Sequence, residues 1–312
     1  MNTPPAIELH GLTKRFGDTL ALDHVDLVVR PGIVFGFLGR NGAGKTTALR
    51  ILAGLARPTE GTAHVLGHDV TGATNAVRAR IGFLPDVPGF YPWMTAREYP
   101  DFAGQLFALD RATLDERANT LLEMAGLASV TTPVGGFSRG MKQRLGIAQA
   151  LINAPSLLML DEPTSALDPI GRREVLEMVA SLRGRTTVFF STHILADVER
   201  VCDAVAILER GRIVESADIA ELTARAAANR LVVELEDDAA AASVASQVAG
   251  RTWLKSVDVA ERTLRLTVSD LPAAQREIPA AIGSAGVALR RFEIEEASLE
   301  DVFVELVGGP AQ

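Results

Sequence analysis

The sequence is poor in three things, and each shortage excludes a class of protein. Cysteine occurs once in 312 residues, as Cys202, so no internal disulfide can form. Its neighbours Val201 and Val205 mark that thiol as a small buried hydrophobe. No stretch is apolar for the ~20 residues that a bilayer crossing needs, and Met1 to Arg15, with Glu8 and two prolines, lacks the apolar core of a signal peptide. Both features predict a chain made and kept in the cytosol. Positive charge is also in deficit: net charge is −8 and pI is 5.3. Nucleic acid is therefore not an expected partner. What is present is 47% hydrophobic residues, enough for a sizeable core, in a length that accommodates two domains.

The most informative stretch is Gly39-Arg40-Asn41-Gly42-Ala43-Gly44-Lys45-Thr46-Thr47, which follows the apolar run Ile33 to Leu38 and fits the pattern of a phosphate-binding loop. Glycines at 39, 42 and 44 allow backbone conformations closed to other residues and turn consecutive N–H groups towards an anion at a helix N-terminus. Lys45 would neutralise the β- and γ-phosphates of a triphosphate, and the Thr46 hydroxyl would ligate Mg²⁺. A glycine-rich turn that only joins strand to helix is the plainer alternative.

Upstream, Ile7 to Leu12 and Leu20 to Val29 read as strands around a turn at Gly17-Asp18. Phe16 beside that turn either packs under the hairpin or stacks on a base, and its position alone leaves both open. Downstream, a helix runs from Gly44 to about Leu55, ended by Gly54 and Pro58, and Gly61 to Val65 is a short strand. His64 and His68 are four apart, but Gly67 interrupts them, which disfavours a metal-binding helix face. Arg80 to Asp86 reads as a strand ending in a carboxylate. The loop Phe90-Tyr91-Pro92-Trp93 after it needs cover, either from the chain's own helices or from a docked protein. Thr95 and Glu98 form a candidate capping box for a helix to about Ala108, and helices are predicted over Leu114 to Ala125 and Lys142 to Asn153. Leu157 to Leu160 is a continuous apolar run, as in a central parallel strand, and delivers Asp161-Glu162 at its C-terminal end. Adjacent buried acids are costly without a cation such as Mg²⁺. A helix from Asp168-Pro169 to about Leu182, a strand from Thr186 to Phe190 followed by His193, and a hairpin around Arg210-Gly211 complete an α/β domain with a mostly parallel sheet. Beyond it, the order βαββαβ from Leu231 to Ile294 predicts a small ferredoxin-like α+β domain, with a terminal helix starting at Ser298-Leu299-Glu300-Asp301.

Set in this order, the glycine loop, Ser138-Arg139-Gly140, Asp161-Glu162 and His193 resemble the nucleotide-binding subunits of ATP-binding-cassette (ABC) transporters, over roughly residues 5 to 225. The resemblance implies a P-loop NTPase fold: a RecA-like core with an antiparallel β subdomain and a helical subdomain at about 87–155. It sets the ATPase domain at 1–225 and the accessory domain at 229–312. It makes Gly39 to Thr47 the Walker A loop, Asp161 a Mg²⁺ ligand, Glu162 the general base, His193 the switch histidine, Ser165 to Asp168 the D-loop and Phe16 the aromatic that stacks on adenine. Ser138 and Gly140 would face the γ-phosphate of ATP held by a second copy in a head-to-tail dimer.

Two positions depart from the family's usual pattern. Phe137-Ser138-Arg139-Gly140-Met141 replaces Leu-Ser-Gly-Gly-Gln, and Asp86 stands at the Q-loop position where glutamine is usual, able to approach Mg²⁺ with a shorter reach. The variants, the single cassette and the C-terminal extension resemble the ATPases of ABC-2-type exporters. Such a subunit lies on the inner face of the membrane, bound to a permease made as another polypeptide, and the aromatic loop would help receive it. The alternatives are a soluble cassette ATPase of DNA repair or translation and a regulator that binds ATP but hydrolyses it poorly.

Overall fold

The computed structural model describes residues 4–72, 74–227 and 230–294. They form two compact units that meet in sequence between Asp218 and Ile219. The first unit opens with the hairpin of β1 (Ile7–Phe16) and β2 (Thr19–Val29), followed by β3 (Val34–Gly39) and α1 (Lys45–Leu52). After α1 come β4 (Glu60–Val65), β5 (His68–Asp69), the one-turn α2 (Thr74–Arg78) and β6 (Ile81–Leu84). Three helices follow, α3 (Glu98–Leu106), α4 (Arg111–Met124) and α5 (Arg139–Leu151). Strands and helices then alternate: β7 (Leu157–Asp161), α6 (Pro169–Ala180), β8 (Thr187–Thr192), α7 (Leu195–Val201), β9 (Ala204–Glu209) and β10 (Arg212–Asp218).

One antiparallel sheet has the order β2-β1-β4-β5, and a six-stranded sheet has the order β10-β9-β3-β8-β7-β6. In the second, every neighbouring pair but β9–β10 is parallel. Parallel strands covered on both faces should be apolar throughout, and β3, β7 and β8 are buried at every position. Helix α1 contributes Ala48, Leu49, Ile51 and Leu52 to one apolar cluster that also takes Ile7 and Leu9 from the hairpin and Phe37 and Met159 from the large sheet. Full burial of each large side chain there is worth about 1.5–3 kcal/mol. The helix that starts at the glycine loop is thus fixed by the core on both sides. It stops at Leu52, three residues before the predicted end, where Gly54 takes a φ of 67° and its N–H turns back to the Ile51 carbonyl.

The helical region packs Ala103, Leu114, Ala118 and Ile152 into a smaller cluster. Thr95 and Glu98 make the predicted capping box: the Thr95 N–H donates to Glu98 Oε2 at 2.6 Å and the Glu98 N–H to Thr95 Oγ1 at 3.4 Å. Helix α5 begins three residues earlier than its apolar spacing suggests, because Ser138 caps it, Oγ accepting from the Met141 N–H at 3.2 Å.

The second unit begins with α8 (Ile219–Ala227), which sequence reading passes over. Then come β11 (Arg230–Leu235), α9 (Asp238–Val248), β12 (Leu254–Ala260), β13 (Thr263–Val268), α10 (Leu271–Ala285) and β14 (Leu289–Ile294). The sheet order is β12-β13-β11-β14 and all its pairs are antiparallel, the βαββαβ arrangement expected. Leu231, Val233, Leu235, Leu264, Leu266 and Val268 alternate along β11 and β13 to face α9 and α10. The terminal helix expected from Ser298 lies outside the described residues.

Candidate functional site

Because β3, β7 and β8 run parallel, the segments that leave their C-terminal ends share one edge of the sheet. These segments are the glycine loop, Asp161-Glu162 and Thr192-His193, so residues more than a hundred positions apart converge there.

The loop's backbone needs its glycines. Gly42 has φ 82° and Gly44, the residue preceding α1, has φ 112°, conformations that side-chain-bearing residues rarely adopt. A Cβ on Gly44 would run into the Ala21 carbonyl oxygen of β2, and one on Gly39 would lie 2.5 Å from the Leu208 carbonyl oxygen of β9. The loop is further held by its own Ala43 N–H to Arg40 carbonyl bond at 3.1 Å and by the β9–β10 turn, where the Gly211 N–H donates to the Ala43 carbonyl at 3.0 Å. That turn is itself tied to β2 by the Asp23 N–H to Gly211 carbonyl bond. Hydrogen bonds from His24, and then Arg212, hold the Asp23 carboxyl below the usual carboxylate range. Asn41 and Gly42 are exposed on the loop, Ala43 is buried beneath it, and Thr46 is exposed with Thr47 half-buried in the first turn of α1.

Lys45 is almost entirely buried, and its Nζ donates to the Gly39 carbonyl at 2.7 Å and the Arg40 carbonyl at 3.3 Å. It also lies 3.0 Å from Glu162 Oε1, a charge contact without hydrogen-bond alignment. The other oxygen of Glu162, Oε2, is 2.8 Å from His193 Nδ1. Loop lysine, expected base and expected switch histidine therefore form one chain of contacts. Glu162 reaches it through a left-handed backbone, φ 49°, directly after the last residue of β7. Such a conformation costs a non-glycine residue roughly 1–3 kcal/mol and persists where surrounding bonds enforce it. Here Ser191 enforces it, its carbonyl and Oγ accepting from the Glu162 N–H at 3.1 and 3.2 Å.

Asp161, 2% exposed, accepts a hydrogen bond on Oδ1 from Ser191 Oγ at 2.7 Å. Ser191 thus orients both acids, a role that sequence reading missed. No local signal marks it, since Thr187 and Thr192 also place hydroxyls in β8; only the register sets Ser191 opposite Asp161.

The remaining candidates sit away from this chain of contacts. Phe16, at the end of β1, is 54% exposed with Lys14 Nζ 4.8 Å over its ring. Ser138 is exposed and Gly140 buried at the start of α5, where a Cβ on Gly140 would be 3.5 Å from Gly171 Cα of α6. The Asp86 carboxylate lies 3.7 Å from the Arg139 guanidinium, and the Asp86 carbonyl accepts from Gln143 Nε2 at 3.3 Å. The two departures from the family pattern therefore face each other. Among the described residues no group of three or more His, Cys, Asp and Glu side chains is arranged to hold a metal, so Asp86 does not join Asp161 and Glu162 in one. In the aromatic loop, Phe90 and Tyr91 pack on Tyr99, and Tyr91 on Phe102, but Trp93 stays 71% exposed. The chain's own helix covers that loop only in part. Cys202 is buried beneath β3, and burial pushes its thiol far up, which makes it inert.

Comparison with known proteins identifies the family. Residues 22–165 match the family described as ABC transporter, and residues 215–307 match the C-terminal domain of DrrA1-3-like ATP-binding proteins. The uncharacterized ABC transporter ATP-binding protein YxlF of Bacillus subtilis is 38% identical, over 96% of this chain and 99% of its own length. The bacitracin transport ATP-binding protein BcrA of Bacillus licheniformis is 37% identical over 97% of each chain. A dimeric ATP-binding cassette in a post-hydrolysis state, bound to ADP and Pi, superposes with a TM-score of 0.61 at 26% identity, covering 68% of this chain and 98% of that one. With whole-length relatives at this identity and both of its units matched, the chain belongs to the ATP-binding, ATP-hydrolysing subunits of ABC transporters.

Proposed function

We propose that this subunit powers an ABC-2-type exporter, as two copies closed head to tail on a separately encoded membrane permease. The observation that carries the catalytic half is the Lys45–Glu162–His193 chain at the mouth of the glycine loop. Entering phosphates would take over Lys45 from Glu162 and from the Gly39 and Arg40 carbonyls. Glu162, released from the lysine but still against His193, would then accept the proton of the attacking water while His193 contacts the γ-phosphate. Phe16 would stack on the adenine, with Asn41, Gly42, Ala43 and Thr47 lining the phosphates. The donors at Asp161 and Thr46 are all oxygen, the set that Mg²⁺ prefers, and Ser191 already orients the Asp161 carboxylate. Mg²⁺ held there would neutralise charge between the β- and γ-phosphates. Asp86 would enter that shell only by leaving Arg139. Catalysis is then largely positioning and charge stabilisation by fixed groups.

For the dimer, support comes from the exposed Ser138 at a helix N-terminus, where N–H groups favour an anion, and from the dimeric cassette that shares this fold. For export, it comes from the half-covered aromatic loop with Trp93 at its tip, from the absence among the described residues of any helix able to cross a membrane, and from relatives such as the bacitracin transport protein. A cassette of DNA repair or translation finds no support in those relatives. The test is co-expression with a hydrophobic, multi-spanning protein, which this reading expects in a neighbouring reading frame. Trp93→Ala should lose copurification and permease-stimulated hydrolysis while ATP binding by the subunit persists. Full activity with no membrane partner, unchanged by that substitution, would overturn the export reading.

A further inference from the structure

Asp197 is a buried carboxylate for which the reaction has no evident use. It lies in the first turn of α7, 0% exposed. Its Oδ2 accepts from Thr164 Oγ1 at 2.5 Å and its Oδ1 from Arg172 Nε at 2.5 Å. An ion pair with one partner fully buried and the other, Arg172, still 33% exposed contributes little net stability, since burying the carboxylate offsets much of the attraction. The question is then what its two bonds hold in place.

Thr164, itself 1% exposed, is two residues past Glu162, in a turn closed by the Ser165 N–H to Glu162 carbonyl bond at 3.1 Å and the Leu167 N–H to Thr164 carbonyl bond at 3.3 Å. Asp197 is four residues past His193, and its N–H donates to the Ile194 carbonyl at 3.2 Å. Arg172 is on α6, whose N-terminus is capped by Asp168 and whose Gly171 packs against Gly140. One carboxylate thus joins the turn after the base, the helix after the switch histidine and the helix behind Ser138-Arg139-Gly140. Without that tie, the left-handed backbone of Glu162 and its 2.8 Å contact to His193 would rest on its bonds to Ser191, the Ser165 N–H and the Lys45 contact.

We infer that Asp197 is a positioning residue, which through Thr164 and Arg172 sets Glu162 relative to His193 and couples that pair to the helix carrying Gly171. The inference rests on Glu162 being the base. It predicts a loss in turnover without a loss in nucleotide binding, because neither Asp197 nor Thr164 touches the glycine loop. A misplacement of the reacting groups by about 1 Å can cost roughly 100-fold in rate.

The test uses the full chain with Thr164→Val, which keeps the shape and removes the hydroxyl, Thr164→Ser, which restores it, and Asp197→Asn, with Glu162→Gln in parallel. We expect kcat per folded molecule to fall by about 10- to 100-fold in Thr164→Val and Asp197→Asn, with KM for Mg-ATP within about twofold of wild type. Thr164→Ser should recover most of the rate. If Asp197→Asn fails to fold, Thr164→Val carries the test alone. Unchanged kcat per folded molecule in Thr164→Val would overturn the inference, and so would a Thr164→Ser variant as slow as Thr164→Val, since packing of the methyl group would then be the cause. Wild-type hydrolysis by Glu162→Gln would instead overturn the assignment of the base on which the inference rests.

Discussion

Replacing Ser191 with alanine removes one buried oxygen and leaves the two acids it serves in different positions. The Glu162 N–H keeps its bond to the Ser191 carbonyl at 3.1 Å, so the left-handed turn survives. Asp161 fares worse: Oδ1 loses its 2.7 Å donor in a place where the residue is 2% exposed and little water can replace it. A hydrogen bond to a charged group contributes about 1.5–3 kcal/mol. In a domain of this size each kcal/mol corresponds to about 2–4 °C in melting temperature, so the variant should melt roughly 3–12 °C lower. With Asp161 as the proposed Mg²⁺ ligand, loss of the hydrogen bond behind it should also weaken Mg²⁺ binding, by about 10- to 100-fold. Thermal melts of the full chain, with and without ATP over a Mg²⁺ titration, measure both effects. A melting temperature within about 1 °C of wild type and an unshifted Mg²⁺ requirement would refute the reasoning.

Other consequences follow from the same geometry. Asp86→Gln and Arg139→Gly, made singly and together, form a double-mutant cycle across the 3.7 Å pair. With both side chains about half exposed, the coupling energy should be about 0.2–1 kcal/mol at low salt and fade as salt rises, and strict additivity at low salt would remove the link. Gly44→Ala forces a methyl group onto the Ala21 carbonyl oxygen at a φ of 112°; backbone strain and overpacking together should cost roughly 2–6 kcal/mol in urea denaturation and weaken ATP binding, and an unchanged midpoint would show that the loop tolerates the side chain.

How much of this was legible in the sequence depends on the range of each interaction. The glycine loop, the strand that delivers Asp161-Glu162 and the helix opened by Asp168 are local patterns, and each takes its expected place, whereas the cap at Ser138 starts α5 three residues ahead of its apolar spacing. The alternation in β11 and β13 was likewise enough to foresee the second unit's sheet. Short elements were missed: α7 has seven residues and no side-chain cap, α2 is one turn, and β5 is two residues long. Periodicity cannot register over such lengths. Also hidden were contacts between segments far apart in the chain. Strand order in the large sheet is not sequence order, so nothing local says that Ser191 lies beside Asp161, that Asp197 lies under Thr164, or that Arg139 faces Asp86. Resemblance supplied the names of the motif residues. The structure added the side chains behind them.

The central claim is that Glu162, held between Lys45 and His193, is the proton acceptor of ATP hydrolysis. Steady-state phosphate release by Glu162→Gln, measured beside its ATP affinity, tests it most directly, because the amide keeps the shape and a contact to His193 but cannot accept the proton. The account predicts that ATP still binds and draws two copies together, while turnover falls by about 100-fold or more. Hydrolysis at the wild-type rate would contradict it.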